Sequence, residues 1–295
     1  MIYAVKMHKR ILSGPPIHLK CKTMLSGIIL LWFVLTGISL LYVAVDILRT
    51  PESPVLKLGF ILLTAYTGPV GAFLYVLGCR EPLPGLHERY TASRWRQVLG
   101  STMHCVAGDG LGILIGAFIG GMMALSKPYE IALEYFLGFG LGWTIFQALF
   151  MKASEGGTFG KALKNTFIPE LVSMNYLMAA MMVVNTIGRT RIAGSDNPLN
   201  PEFWFLMSMA LLTGFVAAYP INWWLVSNHL KHGMMTVRPP ASAASGDQQE
   251  ESSGESMKNM ENRADKVSTK AILWMVILSF AVLALGIVFA FSYPG

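Results

Sequence analysis

Apolar residues in this chain run in long blocks, and the polar residues collect between them. A helix needs about 20 apolar residues to cross a bilayer. Seven blocks are long enough: Met24–Val45, Leu58–Gly78, Val98–Leu125, Ile131–Met151, Phe167–Gly188, Phe203–Asn228 and Ala271–Phe291. None contains Lys or Arg, and together they contain three acids, Asp109, Glu134 and Glu170. The pattern predicts an all-α, polytopic integral membrane protein with seven transmembrane helices. Pro69, beside Thr67 and Gly68, predicts a local break in the second block, and Pro220 predicts a kink in the sixth.

Composition agrees. Of the 295 residues 53% are hydrophobic and 14% charged, far from the balance of a soluble domain. The formal charge of +6 is not a nucleic-acid signal once the basic residues are placed along the chain. With seven crossings, 18 of the 23 Lys and Arg fall on the side of the N-terminus. This predicts a multi-pass protein of the cell (inner) membrane, with the N-terminus cytoplasmic and the C-terminus outside. Arg189 and Arg191 are a local exception. The first block reads as an uncleaved signal anchor. Three cysteines give no disulfide framework.

The expected organisation has four parts. Residues 1–97 hold the cytoplasmic N-terminus and two helices. Residues 98–233 form a four-helix core. Residues 239–268, rich in Ser, Gly and charge, form a disordered cytoplasmic linker. Residues 271–291 form an appended last helix. Lys152–Asn165 could form a short interfacial helix.

The core carries the chemistry. His104, Gly108, Gly112, Gly116 and Gly120 recur at intervals of four, and so share one helix face. Glu134, Gly138 and Gly142 do the same on the next helix. Such faces let membrane helices pack backbone to backbone, and they are also candidate surfaces for a homo-oligomer or a membrane partner. Cys105 and Asp109 lie four apart on the adjoining face. A carboxylate at membrane depth, with no basic side chain there, calls for a proton, a hydrogen bond or a cation. His104, Cys105 and Asp109 are therefore candidate metal ligands, with further ligands needed from other helices. Met174 and Met178 continue a stripe that starts at Glu170, and thioethers suit copper(I). Asp109, Glu134 and Glu170 lie on three helices at three expected depths, which would suit a path for protons or cations. Pro169 and Thr166 are expected in the first turn and at the cap of the fifth helix. Asn222 is placed to engage the backbone that Pro220 frees.

No nucleophile elbow, phosphate loop or dinucleotide fingerprint occurs in a matching context. An intramembrane aspartyl protease would need a second mid-membrane Asp. The residues thus point to a lipid-embedded protein that binds or transports a cation, a proton or a soft transition metal such as copper, centred on Asp109. A non-transporting scaffold subunit is the alternative, and a membrane enzyme built on Asp109 and His104 a third.

The stretches TMHCVAGDGLG, YFLGFGLGWTIFQALFMK and PEFWFLMSMALLTGFVAAYPINWWLVSNHLKHG resemble a bacterial membrane family known as domain of unknown function 4396, over about 101–233. Its hallmark is a His-Cys pair with Gly three residues after the Cys, here His104, Cys105 and Gly108. Shorter relatives place a second Cys and an acid where this chain has Asp109 and Ile113. The resemblance implies a four-helix membrane core and names no activity.

Overall fold

The computed structural model describes residues 17–50, 52, 54–80, 90–149, 151–152, 158–233 and 267–294. These form eight α-helices and no strand: α1 (Ile17–Asp46), α2 (Pro54–Thr67), α3 (Pro69–Gly78), α4 (Arg94–Met122), α5 (Lys127–Leu141), α6 (Phe159–Arg191), α7 (Pro201–Ser227) and α8 (Thr269–Ser292). A π-helical turn, Gly142–Ala148, extends α5. Proline opens α3, α5 and α7 in the first turn, where its missing N–H leaves nothing unpaired. Five helices (α1 with its 3-10 extension, α4, α6, α7 and α8) are long and apolar enough to cross a membrane by length and composition. Such a set belongs to a multi-pass membrane protein. Most of the expected linker lies outside the described residues.

The second block departs from expectation. Leu58–Gly78 does not run straight but folds into a hairpin of α2 and α3. At 14 and 10 residues, these helices reach only ~21 and ~15 Å, against ~30 Å of hydrocarbon. A Cβ on Gly71 would lie 2.8 Å from Thr64 Cα, so the arms touch just after the bend. Farther along, the Phe60 and Tyr75 rings pack edge to face at 5.4 Å. The base of the hairpin is tied to the end of α1. Tyr75 Oη donates to Asp46 Oδ2 at 2.9 Å and lies 2.8 Å from Thr50 Oγ1, and Arg80 Nε lies 3.1 Å from Asp46 Oδ2. The tip, Gly68, rests against Trp32 and Thr36, about midway along α1.

The bend is possible because Gly68 has φ +60°, a left-handed conformation that glycine adopts without penalty. Its exposed backbone is satisfied inside the protein, as membrane depth demands. Gly68 N–H donates to the Thr64 carbonyl at 2.8 Å. Ser208 Oγ, on α7, donates to the Tyr66 carbonyl and accepts from Trp32 Nε1 at 3.1 Å.

The hairpin returns the chain to the end of the bundle where α1 stops. Tyr90 Oη and Arg96 Nε both donate to the Leu77 carbonyl, so α4 starts at the end of the bundle where α1 stops. At the other end, Lys127 Nζ, at the start of α5, donates to the Ala290 carbonyl near the end of α8. The N-terminal end of α1 and the C-terminal end of α8 therefore lie at the same end of the bundle.

Two local expectations also change. Helix α6 starts at Phe159, where Thr158 Oγ1 accepts from Lys161 N–H at 3.3 Å. Pro169 is thus inside the helix, and Thr166 Oγ1 donates to the Ala162 carbonyl instead of capping. The part of Lys152–Asn165 from Phe159 onward is the beginning of α6. Helix α8 packs on α6: a Cβ on Gly286 would lie 2.9 Å from Ala179 Cα, and Asn175 Nδ2 donates to Ser279 Oγ at 3.0 Å.

Replacing Ser208 with alanine leaves the Trp32 N–H and the Tyr66 carbonyl without this partner, a loss of about 1–3 kcal/mol for buried polar groups. Heat-induced unfolding of the detergent-solubilised variant is expected at lower temperature than wild type. An unchanged midpoint would show that the bend does not depend on this contact.

Candidate metal centre

Helix α4 places Cys105 and Asp109 one turn apart on the same face. Helix α6 faces them with Glu170 and Ser173, and α7 contributes Asn222; all five are fully buried. Cys105 Sγ lies 3.3 Å from Asp109 Oδ2, 3.4 and 3.5 Å from the Glu170 oxygens and 3.2 Å from Ser173 Oγ. One ligand atom from each of Cys105, Asp109 and Glu170 falls within a 4.8 Å group, the arrangement of three donors that could hold a metal ion. Asn222 Nδ2 donates to Ser173 Oγ at 3.1 Å. Asn222 Oδ1 and Asp109 Oδ1 are buried with no hydrogen bond among the described residues.

Gly142 makes room for this group. A Cβ there would overlap Asp109 Oδ1 and stand 2.9 Å from Glu170 Oε1. It is the first residue of the π-helical turn, a feature often found at functional sites. The absence of a side chain lets two carboxyls from different helices meet against backbone.

Two carboxylates and a thiol in a dry interior need compensating positive charge. Lys231 supplies it. Its side chain is 3% exposed, and Nζ lies 3.1 Å from Glu170 Oε2. Burial alone would pull its pKa down, but the acidic groups of Cys105, Glu170 and Asp109 outweigh burial and hold it above the usual lysine value. This corrects the sequence expectation that no basic side chain of the chain reaches the acids. Lys231 reaches the centre because α7 stops at Ser227 and the chain turns back. His229 N–H donates to the Val226 carbonyl and Leu230 N–H to the Leu225 carbonyl, the paired bonds of a Schellman cap. His229 takes the left-handed position, with φ +58°.

The other predicted residues are distributed as follows. His104 is fully buried but points elsewhere, as expected for the residue next to Cys105, about 100° around the helix. Its ring packs edge to face on Phe146 at 5.4 Å. Met174 and Met178 are core residues outside the donor group, and a Cβ on Gly138 would meet Met174 Cε. Glu170 does not sit at a separate depth near one face. It lies about three turns into α6, at the level of Asp109. Glu134 is buried near the other end of the bundle, where Arg189 grips Glu130 with two hydrogen bonds, one of 2.8 Å. Between Asp109 and Glu134 the helices touch: a Cβ on Gly112 would overlap the Leu137 carbonyl, and one on Gly116 would lie 2.8 Å from Glu134 Cα. Gly108 abuts Phe146 and Gly120 abuts Glu130. The three acids therefore do not form a continuous ladder along this seam. Asn222 reaches Ser173, not the backbone near Pro220.

Adding one methyl group tests the close approach. Gly142→Ala should displace both carboxyls and lower stability by about 1–3 kcal/mol, as overpacking does. Gly140→Ala, where a Cβ meets nothing within 4 Å, should leave the unfolding temperature the same or slightly higher. Equal behaviour of the two variants in thermal unfolding would contradict the described packing.

Residues 94–231 match the family described as Domain of unknown function (DUF4396). No curated protein and no solved structure matches the chain. The matched segment starts at the first residue of α4 and ends at Lys231, so it contains Cys105, Asp109, Gly142, Glu170, Ser173, Asn222 and Lys231 together. The bundle from α4 to α7, with the turn that returns Lys231 to its interior, is thus a DUF4396 domain.

Proposed function

We propose that this is an integral membrane cation-binding protein whose centre is Cys105, Asp109 and Glu170. The observation that carries this reading is the convergence of one sulfur and two carboxyl groups, fully buried and within 4.8 Å, from two helices far apart in sequence. One thiolate and two carboxylate oxygens form a borderline donor set. It suits a divalent ion such as Zn2+ better than copper(I), which prefers sulfur alone. Ser173 Oγ and Asn222 Oδ1 lie beside the group to receive a bound water or complete the shell. Asp109 keeps the central place that the sequence suggested, Glu170 joins it as a ligand, and His104, Met174 and Met178 are not needed. The closed α4–α5 seam supports binding at a fixed centre over passage from Asp109 to Glu134. It equally favours a second reading, a rigid scaffold subunit, which predicts no metal.

Metal retention separates these readings. Purified protein exposed to Zn2+ and then dialysed should keep about one equivalent. Cys105→Ser, Asp109→Asn and Glu170→Gln should each lose most of it, while His104→Ala keeps it. Wild type without retained metal would end the cation reading and leave the scaffold.

The same geometry supports a revised membrane disposition. We infer six crossings (α1, α4, α5 with its π-helical turn, α6, α7 and α8) and a hairpin, α2–α3, that enters and leaves on one side. Among the described residues ten Lys and Arg then fall at the end where α4 starts: Arg49, Lys57, Arg80, Arg94, Arg96, Lys152, Lys161, Lys164, Lys231 and Lys270. The other end holds five: Lys20, Lys22, Lys127, Arg189 and Arg191. The excess marks the first end as cytoplasmic, with the start of α1 and the end of α8 outside.

Position 57 discriminates, because a seven-crossing chain would put it outside. With Cys21 and Cys79 replaced by serine, Lys57→Cys should resist an impermeant thiol reagent in intact cells and react once they are opened. Lys127→Cys should react in intact cells. Labelling of position 57 from outside would restore the seventh crossing.

A further inference from the structure

The Lys231 ammonium is not placed by a helix. It arrives on a turn of six residues, 228–233, that closes one end of the centre. Three features of that turn bear on what it does. Its reversal depends on His229 in the left-handed region, where a non-glycine residue carries strain that glycine in the same cap would avoid. Its far end is seated tightly: a Cβ on Gly233 would overlap Gln97, whose Nε2 is in turn held by the Thr91 carbonyl at 2.8 Å. Its one charged group, Lys231, lies on the same Glu170 oxygen that stands 3.4 Å from Cys105 Sγ.

That carboxylate is one of the groups a metal would use. A divalent ion among Cys105, Asp109 and Glu170 would sit within a few ångströms of an ammonium, in a buried interior where charge repulsion is weakly screened. Resting on the cation-binding reading above, we propose that Lys231 is a built-in occupant of the site. Its ammonium and a bound divalent cation take the Glu170 carboxylate in turn, and residues 228–233 are the part that moves. The pairing accounts for two features at once. In the metal-free protein the tethered cation keeps Glu170 from being an unpaired buried charge, which would be strongly destabilising. When metal enters, the strained turn is the element least costly to release, because its cap bonds are few and it belongs to no helix.

Full-length wild-type protein in detergent provides the main test, so no variant has to fold. An amine-acylating reagent is applied with and without saturating Zn2+, and modification of Lys231 is read by mass spectrometry. Zn2+ retention is measured on the same sample. Modification of Lys231 should rise about tenfold on Zn2+ binding, as a minor exposed form becomes the major one, while Lys152 and Lys161 stay unchanged. In a second measurement, Lys231→Met should bind Zn2+ about tenfold more tightly, because the competing occupant is gone, and Lys231→Arg should bind as wild type. Zn2+ that binds without exposing Lys231, or with Lys231→Met no tighter than wild type, would overturn the exchange and leave the metal centre standing. Absence of Zn2+ binding by wild type would overturn both.

Discussion

The contact between Lys231 and Glu170 is the interaction on which the interior of this domain depends. Two carboxyl groups from different helices, Asp109 and Glu170, lie against one thiol with no solvent. Without a cation such a group is electrostatically unfavourable in a low-dielectric interior. The chain solves the problem by supplying its own ammonium from a turn outside any helix. Glycine supplies the space and a π-helical turn the register, so that Gly142 faces both carboxyls. The helix bundle is arranged around these two requirements: room for two acids, and access for one lysine.

A charge group of this kind is weak evidence for stability, since apolar side chains of similar size could fill the same space without desolvation. Its presence within one matched domain, complete from α4 to Lys231, is what the proposed cation binding accounts for. The tight α4–α5 seam then has a clear role. Backbone contact at Gly112 and Gly116 holds α4 against α5, and the proposed exchange accordingly assigns the movement to the turn after α7.

Much of the helical layout was legible in the sequence, because every apolar block is helical and the glycine spacing alone marks a face on α4 and α5. The pairing of Cys105 with Asp109 was also legible, since residues four apart share a face. Three features were not. The α2–α3 hairpin is as apolar as a crossing helix, and the Gly68-Pro69 pair reads equally as a kink or a reversal until the Tyr75–Asp46 bond is seen. Lys231 gave no signal because its return depends on a Schellman cap formed with His229, where glycine would have advertised the turn. Glu170 joins Asp109 because α6 starts about two turns before the apolar block does, and the polar first residues FGKALKN hide that start.

The central claim is that sulfur and carboxylate oxygen from Cys105, Asp109 and Glu170 hold one divalent cation. The most direct measurement is X-ray absorption at the zinc edge on Zn2+-loaded wild-type protein. The account predicts a shell with a single sulfur at about 2.3 Å and oxygen neighbours at about 2.0–2.2 Å. A shell of oxygen and imidazole nitrogen without sulfur would place the ion elsewhere and contradict it.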